Sequence, residues 1–158
     1  MKRFIATAVV LSAAMLGVTL SAQTAAVDHL TAAEILQKAQ ELEQKAAEGG
    51  SASVKLDEYP NHYTMVALRE KSGGAEVHEN YADFFYIVRG KATLLTGGTV
   101  VDAKTASPGE IKGTSVRDGT STPLNEGDVV HIPANVPHQM VLPDHGEIVY
   151  FVIKVKEH

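Results

Sequence analysis

Two separated segments of the chain carry ligating and acid–base side chains at spacings suited to β-strands. Glu76 and His78 stand two residues apart, so on a strand both side chains point to one face. If the strand resumes after an interruption at 79–82, Asp83 returns to the same pocket. His138 follows a proline-bounded turn, from which a distant segment can deliver it beside the other three residues.

The four side chains together form a mixed nitrogen and oxygen donor set. One histidine from each segment plus two carboxylates suits Fe, Mn, Zn, Ni or Co. We therefore predict a divalent-metal site at Glu76, His78, Asp83 and His138. The alternative is a polar pocket without metal, in which the two histidines are only hydrogen-bonded to their neighbours.

Two further residues, His131 and Tyr86, are weaker candidates for a catalytic role. His131 lies on a strand before Pro133, and strand alternation points its side chain to the face opposite Val130 and Ile132. It is therefore either a cavity-facing acid–base residue or an exposed strand histidine. Tyr86 either lines the pocket or packs with its hydroxyl at the edge of the barrel.

The elements that must position these residues are short β-strands. Strand-forming residues recur between turns rich in glycine, proline and asparagine, a pattern typical of an all-β sandwich or barrel. The predicted strands are 62–68, 83–88, 92–96, 109–116, 128–132, 139–142 and 147–156. The segment 99–122 is rich in Gly, Ser, Thr and Asp and predicts a long hairpin or loop insertion.

A helical pattern precedes the strands over residues 28–50. Thr31 and Glu34 form a predicted capping box, and Gly49 and Gly50 end the helix. Its narrow apolar stripe consists of Ile35, Ala39, Leu42 and Ala46. We expect this stripe to lie on the surface of the barrel or to pair with a second copy of the chain.

The N-terminus has the layout of a secretory signal peptide. A basic pair, Lys2 and Arg3, precedes an uncharged apolar stretch and then a run of small residues. We predict a leader over 1–22, with cleavage after Ala22 or as late as Ala26, and a periplasmic or secreted mature chain. The alternative is an uncleaved anchor, because the apolar stretch approaches a membrane-spanning length.

Composition and charge exclude several classes of partner. The 158 residues carry a formal net charge of −5, and loss of the two positive charges of Lys2 and Arg3 makes it −7. Such an acidic chain is unsuited to nucleic acid and to anionic lipid, so the expected partner is a small-molecule ligand or substrate. The chain has no cysteine, which excludes disulfides, thiol catalysis and cysteine-ligated metals.

The two segments resemble the two signature motifs of the cupin superfamily, in the form found in small single-domain bacterial cupins. The motif His-x-His-x4-Glu-x6-Gly aligns with Glu76, His78, Asp83 and Gly90. The motif Gly-x5-Pro-x-Gly-x2-His aligns with Gly127, Pro133, Asn135 and His138, with Asn135 in the place of the turn glycine. The resemblance covers about residues 60–156. It implies an all-β fold, a double-stranded β-helix (jelly-roll-like barrel) over 53–158 with one N-terminal α-helix, and a homodimer.

The chain departs from the family pattern at two ligand positions. Glu76 stands where the family has its first histidine, and Asp83 stands where it has glutamate. The added carboxylate makes the donor set harder, which favours Mn or Fe over softer metals. The resemblance implies metal-dependent oxidation, isomerisation or lyase-type chemistry on a small, oxygen-rich molecule. The alternatives are a non-catalytic small-ligand-binding protein of the cell envelope that has lost metal, and a structural role through dimerisation.

Overall fold

The computed structural model describes residues 27–157, so the predicted leader at 1–22, or up to Ala26, lies outside the described part of the chain. Two short helices, α1 (Ala32–Gln40) and α2 (Glu43–Gly49), precede the strands. The strands are β1 (Ser51–Glu58), β2 (His62–Arg69), β3 (Ala75–His78), β4 (Tyr81–Thr96), β5 (Thr99–Val101), β6 (Lys104–Ser107), β7 (Glu110–Gly113), β8 (Ser115–Arg117), β9 (Thr120–Asn125), β10 (Val129–Ile132), β11 (His138–Val141) and β12 (Ile148–Lys156). This architecture confirms the predicted all-β, double-stranded β-helix with helical structure at its N-terminal end. Within 27–157, none of the helices has the length and apolar character needed to span a membrane.

The N-terminal helical segment packs on the outer face of the sheet. The predicted capping box is present at the start of α1, where the Glu34 N–H donates to Thr31 Oγ1 and the Thr31 N–H donates to Glu34 Oε2. The predicted single helix is interrupted after Gln40, and Gly50 follows α2 with a φ of +84°. All four residues of the predicted stripe are buried in one cluster with Val66, Leu68, Val88 and Val149 of the sheet. The stripe therefore lies on the barrel of its own chain.

One curled antiparallel sheet forms the barrel, with the strand order β1-β2-β12-β4-β11-β3-β7-β6. The first part of β4 pairs with β12 and β10, and its second part pairs with β11 and β9. Phe85, Ile87, Leu94, Tyr150 and Val152 belong to the buried cluster of the inner face. β4 carries Asp83 and pairs with β11, which carries His138, and β3 pairs with β11 on its other side.

The segment 99–122, predicted as a long hairpin or loop insertion, contains four strands, β5 to β8, and the start of β9. β7 pairs with β3, and the register places Lys112 opposite Glu76 and Glu110 opposite His78. β6, β7 and β9 are therefore part of the barrel sheet, with β7 beside the predicted ligands, whereas β5 and β8 pair with each other in a separate two-stranded sheet.

Gly90 is the residue at which β4 passes from one half of the barrel to the other. Its φ is +89°, and a Cβ added there would lie 2.1 Å from the carbonyl oxygen of Glu147. We expect Gly90→Ala to lower the free energy of unfolding by more than about 2 kcal/mol, because backbone strain and a steric clash act together. Urea denaturation measures this loss.

The control for this variant is Gly127→Ala. Gly127 has a φ of +90°, but no atom lies within 4 Å of its Cβ position, so its substitution tests the strain without the clash. Equal losses of stability in the two variants would contradict the role assigned to the close approach of Gly90 and Glu147.

Candidate metal centre

Three strands bring the predicted ligands together. β3 carries Glu76 and His78, β4 carries Asp83, and β11 begins at His138, which pairs with Glu76. Asn135 adopts a φ of +64° in the turn before β11, a conformation that asparagine tolerates better than most residues. Its backbone N–H donates to the carbonyl oxygen of His78 over 2.8 Å. This hydrogen bond ties the turn to the end of β3, so that the imidazole of His138 lies beside that of His78, with 5.1 Å between ring centroids.

The donor atoms of the four predicted ligands lie within a few ångströms of one another. Oδ2 of Asp83 is 3.3 Å from Nε2 of His78 and 3.6 Å from Nε2 of His138. Oε2 of Glu76 is 3.8 Å from Nε2 of His78, and the donor atoms of Glu76, His78 and His138 all lie within 4.8 Å of each other. Ligands that share one ion at about 2.0–2.2 Å stand roughly 3–4 Å apart. The separations among Glu76, His78 and His138 therefore suit a single divalent ion, and Asp83 lies next to both histidines.

Both histidines are held in the tautomer that a metal ligand requires. Nδ1 of His78 lies 2.6 Å from Oε2 of Glu110, and Nδ1 of His138 lies 3.1 Å from the carbonyl oxygen of Val136. Each of these oxygens accepts a hydrogen bond, so each Nδ1 carries a hydrogen, and in the neutral imidazole each Nε2 carries a lone pair. Nε2 of His78 is buried and has no hydrogen-bond partner among residues 27–157. An orphaned, buried imidazole nitrogen beside a second one is what a bound cation would satisfy.

Each of the two carboxylates is held by a lysine. Lys112 Nζ lies 3.1 Å from Oε1 of Glu76, and Lys154 Nζ lies 2.6 Å from Oδ1 of Asp83. Each lysine thus contacts one carboxylate oxygen, and the other oxygen faces the histidines. Asp83 is 2% exposed in its side chain, so without this countercharge its buried negative charge would be strongly unfavourable.

The electrostatics of the cluster keep its carboxylates ionised. Burial raises the pKa of Asp83, but His78 and Lys154 outweigh it and the net pKa is lowered. Burial likewise raises the pKa of Glu76, and Lys112 and the histidines reverse the shift, so its pKa is also lowered. Burial lowers the pKa of His138, which favours the neutral imidazole that binds metal. Burial also acts to lower the pKa of His78, but the carboxylates around it leave its pKa raised.

The two predicted catalytic residues, His131 and Tyr86, do not join this cluster. Asp83 and Phe85 face the cavity, so strand alternation directs Tyr86 outward, where it is 41% exposed. His131 is exposed on β10 and stacks on Phe84, with 4.3 Å between ring centroids. The interpretation of His131 and Tyr86 as cavity-facing catalytic residues is therefore corrected: both lie on the outer face of the sheet.

Glu76, His78 and Asp83 line an open cavity of about 600 Å³, and His138 borders a smaller space that shares Glu76 with it. Four charged residues that the sequence interpretation did not include line the larger cavity: Arg69, Glu110, Lys112 and Lys154. Apolar side chains on the same wall include Met65, Phe85 and Val152. The cavity therefore offers charged groups for a polar ligand together with some apolar surface.

Glu110 orients a ligand rather than acting as one, and its substitution tests this arrangement. We expect Glu110→Gln to weaken divalent-metal binding by roughly 10–100-fold, because the acceptor that fixes His78 Nδ1 loses its charge. Isothermal titration with Mn(II) measures the change. Glu126→Gln, at an exposed position outside the cavity lining, is the matched control. Unchanged affinity in Glu110→Gln would show that His78 is not oriented through Glu110.

Comparisons with known proteins find similarity in structure. No protein-family model and no curated protein matches the chain. The structure of KdgF from Halomonas sp. matches with a TM-score of 0.51 and 13% identity, over 70% of this chain and 83% of that one. TT1209 from Thermus thermophilus matches with a TM-score of 0.50 and 13% identity, over 68% of this chain and 84% of that one. The DMSP lyase DddQ from Ruegeria pomeroyi matches with a TM-score of 0.51 and 15% identity, over 70% of this chain but only 49% of DddQ. Identities this low show a shared fold alone.

Proposed function

The chain has the double-stranded β-helix fold of the cupins, and on this premise we propose that it binds a divalent metal and acts enzymatically on a small, oxygen-rich molecule. One observation carries the proposal. Each of the four predicted ligands has one heteroatom held by a partner and presents its other heteroatom to the cluster. Hydrogen-bonded ligands of this kind are typical of metal sites.

The donor set fits a hard or borderline divalent ion. Glu76 and Asp83 supply carboxylate oxygens, and His78 and His138 supply imidazole nitrogens, a mixture that favours Mn or Fe and also accommodates Zn or Ni. When bound, such an ion supplies Lewis-acid polarisation of a substrate oxygen or activation of dioxygen. The chain's own residues hold the ligands, and apolar side chains form part of the cavity wall.

The class of substrate follows from the size and polarity of the cavity. A space of about 600 Å³ with charged and apolar walls suits a small molecule with several oxygen atoms. We propose oxidation, isomerisation or lyase-type chemistry. The last occurs on this fold in the DMSP lyase DddQ.

Turnover after metal reconstitution tests the proposal. The purified chain is treated with chelator, reloaded with Mn(II) or Fe(II), and screened against small hydroxy acids, keto acids and sugars. We expect turnover that requires the metal, is lost in His78→Ala and persists in His131→Ala, which alters an exposed histidine on the outer face. Turnover that survives chelator and His78→Ala would contradict the metal-dependent mechanism.

A non-catalytic, small-ligand-binding envelope protein is the second candidate function. The ion pairs of Lys112 with Glu76 and of Lys154 with Asp83 favour it, because they neutralise both carboxylates without a metal. This candidate predicts a ligand that binds equally well with and without chelator. A requirement for metal in ligand binding would exclude it.

The proposed cellular location is the periplasm or the extracellular space. The basic pair at Lys2 and Arg3, the apolar stretch and the small residues after it support this proposal. Intact-mass measurement of the chain recovered from the periplasm should give a mature N-terminus after Ala22 or Ala26. We also propose a homodimer on the strength of the cupin resemblance, and light scattering measures its mass.

A further inference from the structure

Arg69 is a cation on the inner wall of the barrel that the metal site does not use. Met65, Ala67 and Arg69 alternate along β2, and all three line the cavity that Glu76, His78 and Asp83 also line. Arg69 also borders a smaller adjoining space together with Glu76, His138 and Tyr150. Its guanidinium is therefore beside the candidate metal centre and reachable from the same cavity.

Arg69 is the cavity cation that has no carboxylate partner among residues 27–157. Lys112 pairs with Glu76 and Lys154 pairs with Asp83, whereas no carboxylate of this range lies within 4.0 Å of the Arg69 nitrogens. Nε of Arg69 is buried, and its N–H donates to no acceptor in the same range. Arginine stays charged at all ordinary pH values, and a buried unsatisfied donor of this kind is unfavourable.

We propose that Arg69 binds a carboxylate of the substrate, which makes the substrate a small hydroxy or oxo carboxylic acid. The planar guanidinium fork matches a carboxylate in bidentate geometry. The inference rests on the proposed function only for the other end of the molecule, whose oxygen atoms would face the metal cluster.

The charges of the cavity favour a single negative group over a doubly charged one. Three cations (Arg69, Lys112 and Lys154) and three carboxylates (Glu76, Asp83 and Glu110) line it. Among these residues only Arg69 lacks a charged partner, since Glu110 contacts His78 and the guanidinium of Arg69 lies beside the neutral hydroxyl of Tyr150. One unpaired positive charge is matched by one carboxylate, whereas a phosphate monoester carries between one and two negative charges near neutral pH.

The lack of a side chain at Gly73 leaves room for the guanidinium of Arg69. A Cβ at Gly73 would lie 2.4 Å from Nη1 of Arg69. The backbone of Gly73 is fixed on both sides, because its N–H donates to the Met140 carbonyl over 2.9 Å and its carbonyl accepts from Gln139 Nε2 over 2.8 Å. Gly73→Ala would therefore displace the flexible guanidinium and leave its charge in the chain.

The test compares acids with their neutral amides. Metal-free and Mn(II)-loaded forms of the full chain are titrated with glycolate, lactate and malate, with the corresponding amides, and with inorganic phosphate. In the metal-free form we expect at least one acid to bind at least about tenfold more tightly than its amide, as a charged hydrogen-bond pair provides. Arg69→Gln and Gly73→Ala should remove this preference, and Arg69→Lys should reduce it.

Lys91→Gln is the matched control, because it removes one positive charge at an exposed position outside the cavity lining. It should retain the preference for the acid. Equal binding of acid and amide by the wild-type chain, no binding of either, or a preference that persists in Arg69→Gln would overturn the inference. Arg69-dependent binding of phosphate that exceeds that of every acid would overturn the carboxylate assignment.

Metal content measured on the same samples separates this inference from the proposed function. If the wild-type chain retains no metal but still prefers the acid through Arg69, the metal proposal fails and the inference holds. If it retains metal and shows no Arg69-dependent preference, the inference fails and the metal proposal holds.

Discussion

Replacing His138 by alanine is expected to abolish stoichiometric metal binding while the chain remains folded. The imidazole supplies one of four donor atoms, and its Nε2 lies 3.6 Å from the Asp83 oxygen that would share the ion. Removal of a ligand should weaken Mn(II) binding by more than the roughly 10–100-fold that loss of a supporting residue causes. Isothermal titration at neutral pH measures the affinity, and circular dichroism establishes that the variant is folded.

His131→Ala is the matched control for this experiment. His131 is also a histidine on a β-strand, but it stacks on Phe84 at the outer face of the sheet. The His131→Ala variant should bind Mn(II) with the affinity of the wild-type chain. Undiminished metal affinity in His138→Ala would contradict the proposed ligand set.

Replacing Lys154 by methionine should have the largest effect on stability. Lys154 and Asp83 form a buried ion pair, with side chains 12% and 2% exposed. Removal of one partner leaves an uncompensated buried charge, and such changes lower the free energy of unfolding by about 3–5 kcal/mol. Urea denaturation of the metal-free form measures the loss. Lys156→Met, at an exposed position of the same strand, should change the stability by less than about 0.5 kcal/mol.

The effect of Lys154→Met should depend on pH and on metal. The pKa of Asp83 is lowered in the folded chain, so its ionised form stabilises the fold above the unfolded pKa of about 4. This contribution is lost as the pH falls through the lowered pKa, and the difference between wild type and variant should shrink on acidification. Saturating Mn(II) should also reduce the difference, because a bound cation replaces the missing countercharge of Asp83. A deficit that is the same with and without metal would indicate that Asp83 does not face the ion.

The elements of the site that the sequence predicts are those encoded by short-range spacing. Glu76 and His78 share a strand face because the side-chain period of a strand is two residues. Asn135 marks the turn that delivers His138, since a residue tolerant of positive φ is needed there. These local signals, together with the resemblance to the cupin motifs, were sufficient to predict both the fold and the four clustered side chains.

The residues that support the ligands were missed because long-range strand pairing positions them. Glu110 and Lys112 lie on the predicted strand 109–116, but they reach the cluster through the pairing of β7 with β3, and the sequence did not indicate which strand this one would pair with. Lys154 did have a local signal: it follows Tyr150 and Val152 at alternate positions of an apolar strand, so it should face the interior. A lysine at an inward position of such a strand predicts a buried carboxylate partner.

Strand parity also explains the correction of the two catalytic candidates. Once Asp83 is placed in the cavity, Phe84 and Tyr86 must face outward along β4. His131 pairs with Phe84 across the sheet and therefore shares its outer face. Parity within β4 was available from the sequence, whereas the register between β4 and β10 was not.

Elemental mass spectrometry of the chain purified without chelator tests the central claim most directly, with the double variant His78→Ala/His138→Ala measured beside it. We predict about one Mn, Fe, Zn or Ni per wild-type chain and none in the folded double variant. Absence of stoichiometric metal from the wild-type chain, even after incubation with Mn(II) or Fe(II), would contradict the metal centre. Equal metal content in both proteins would place the metal elsewhere than at these histidines.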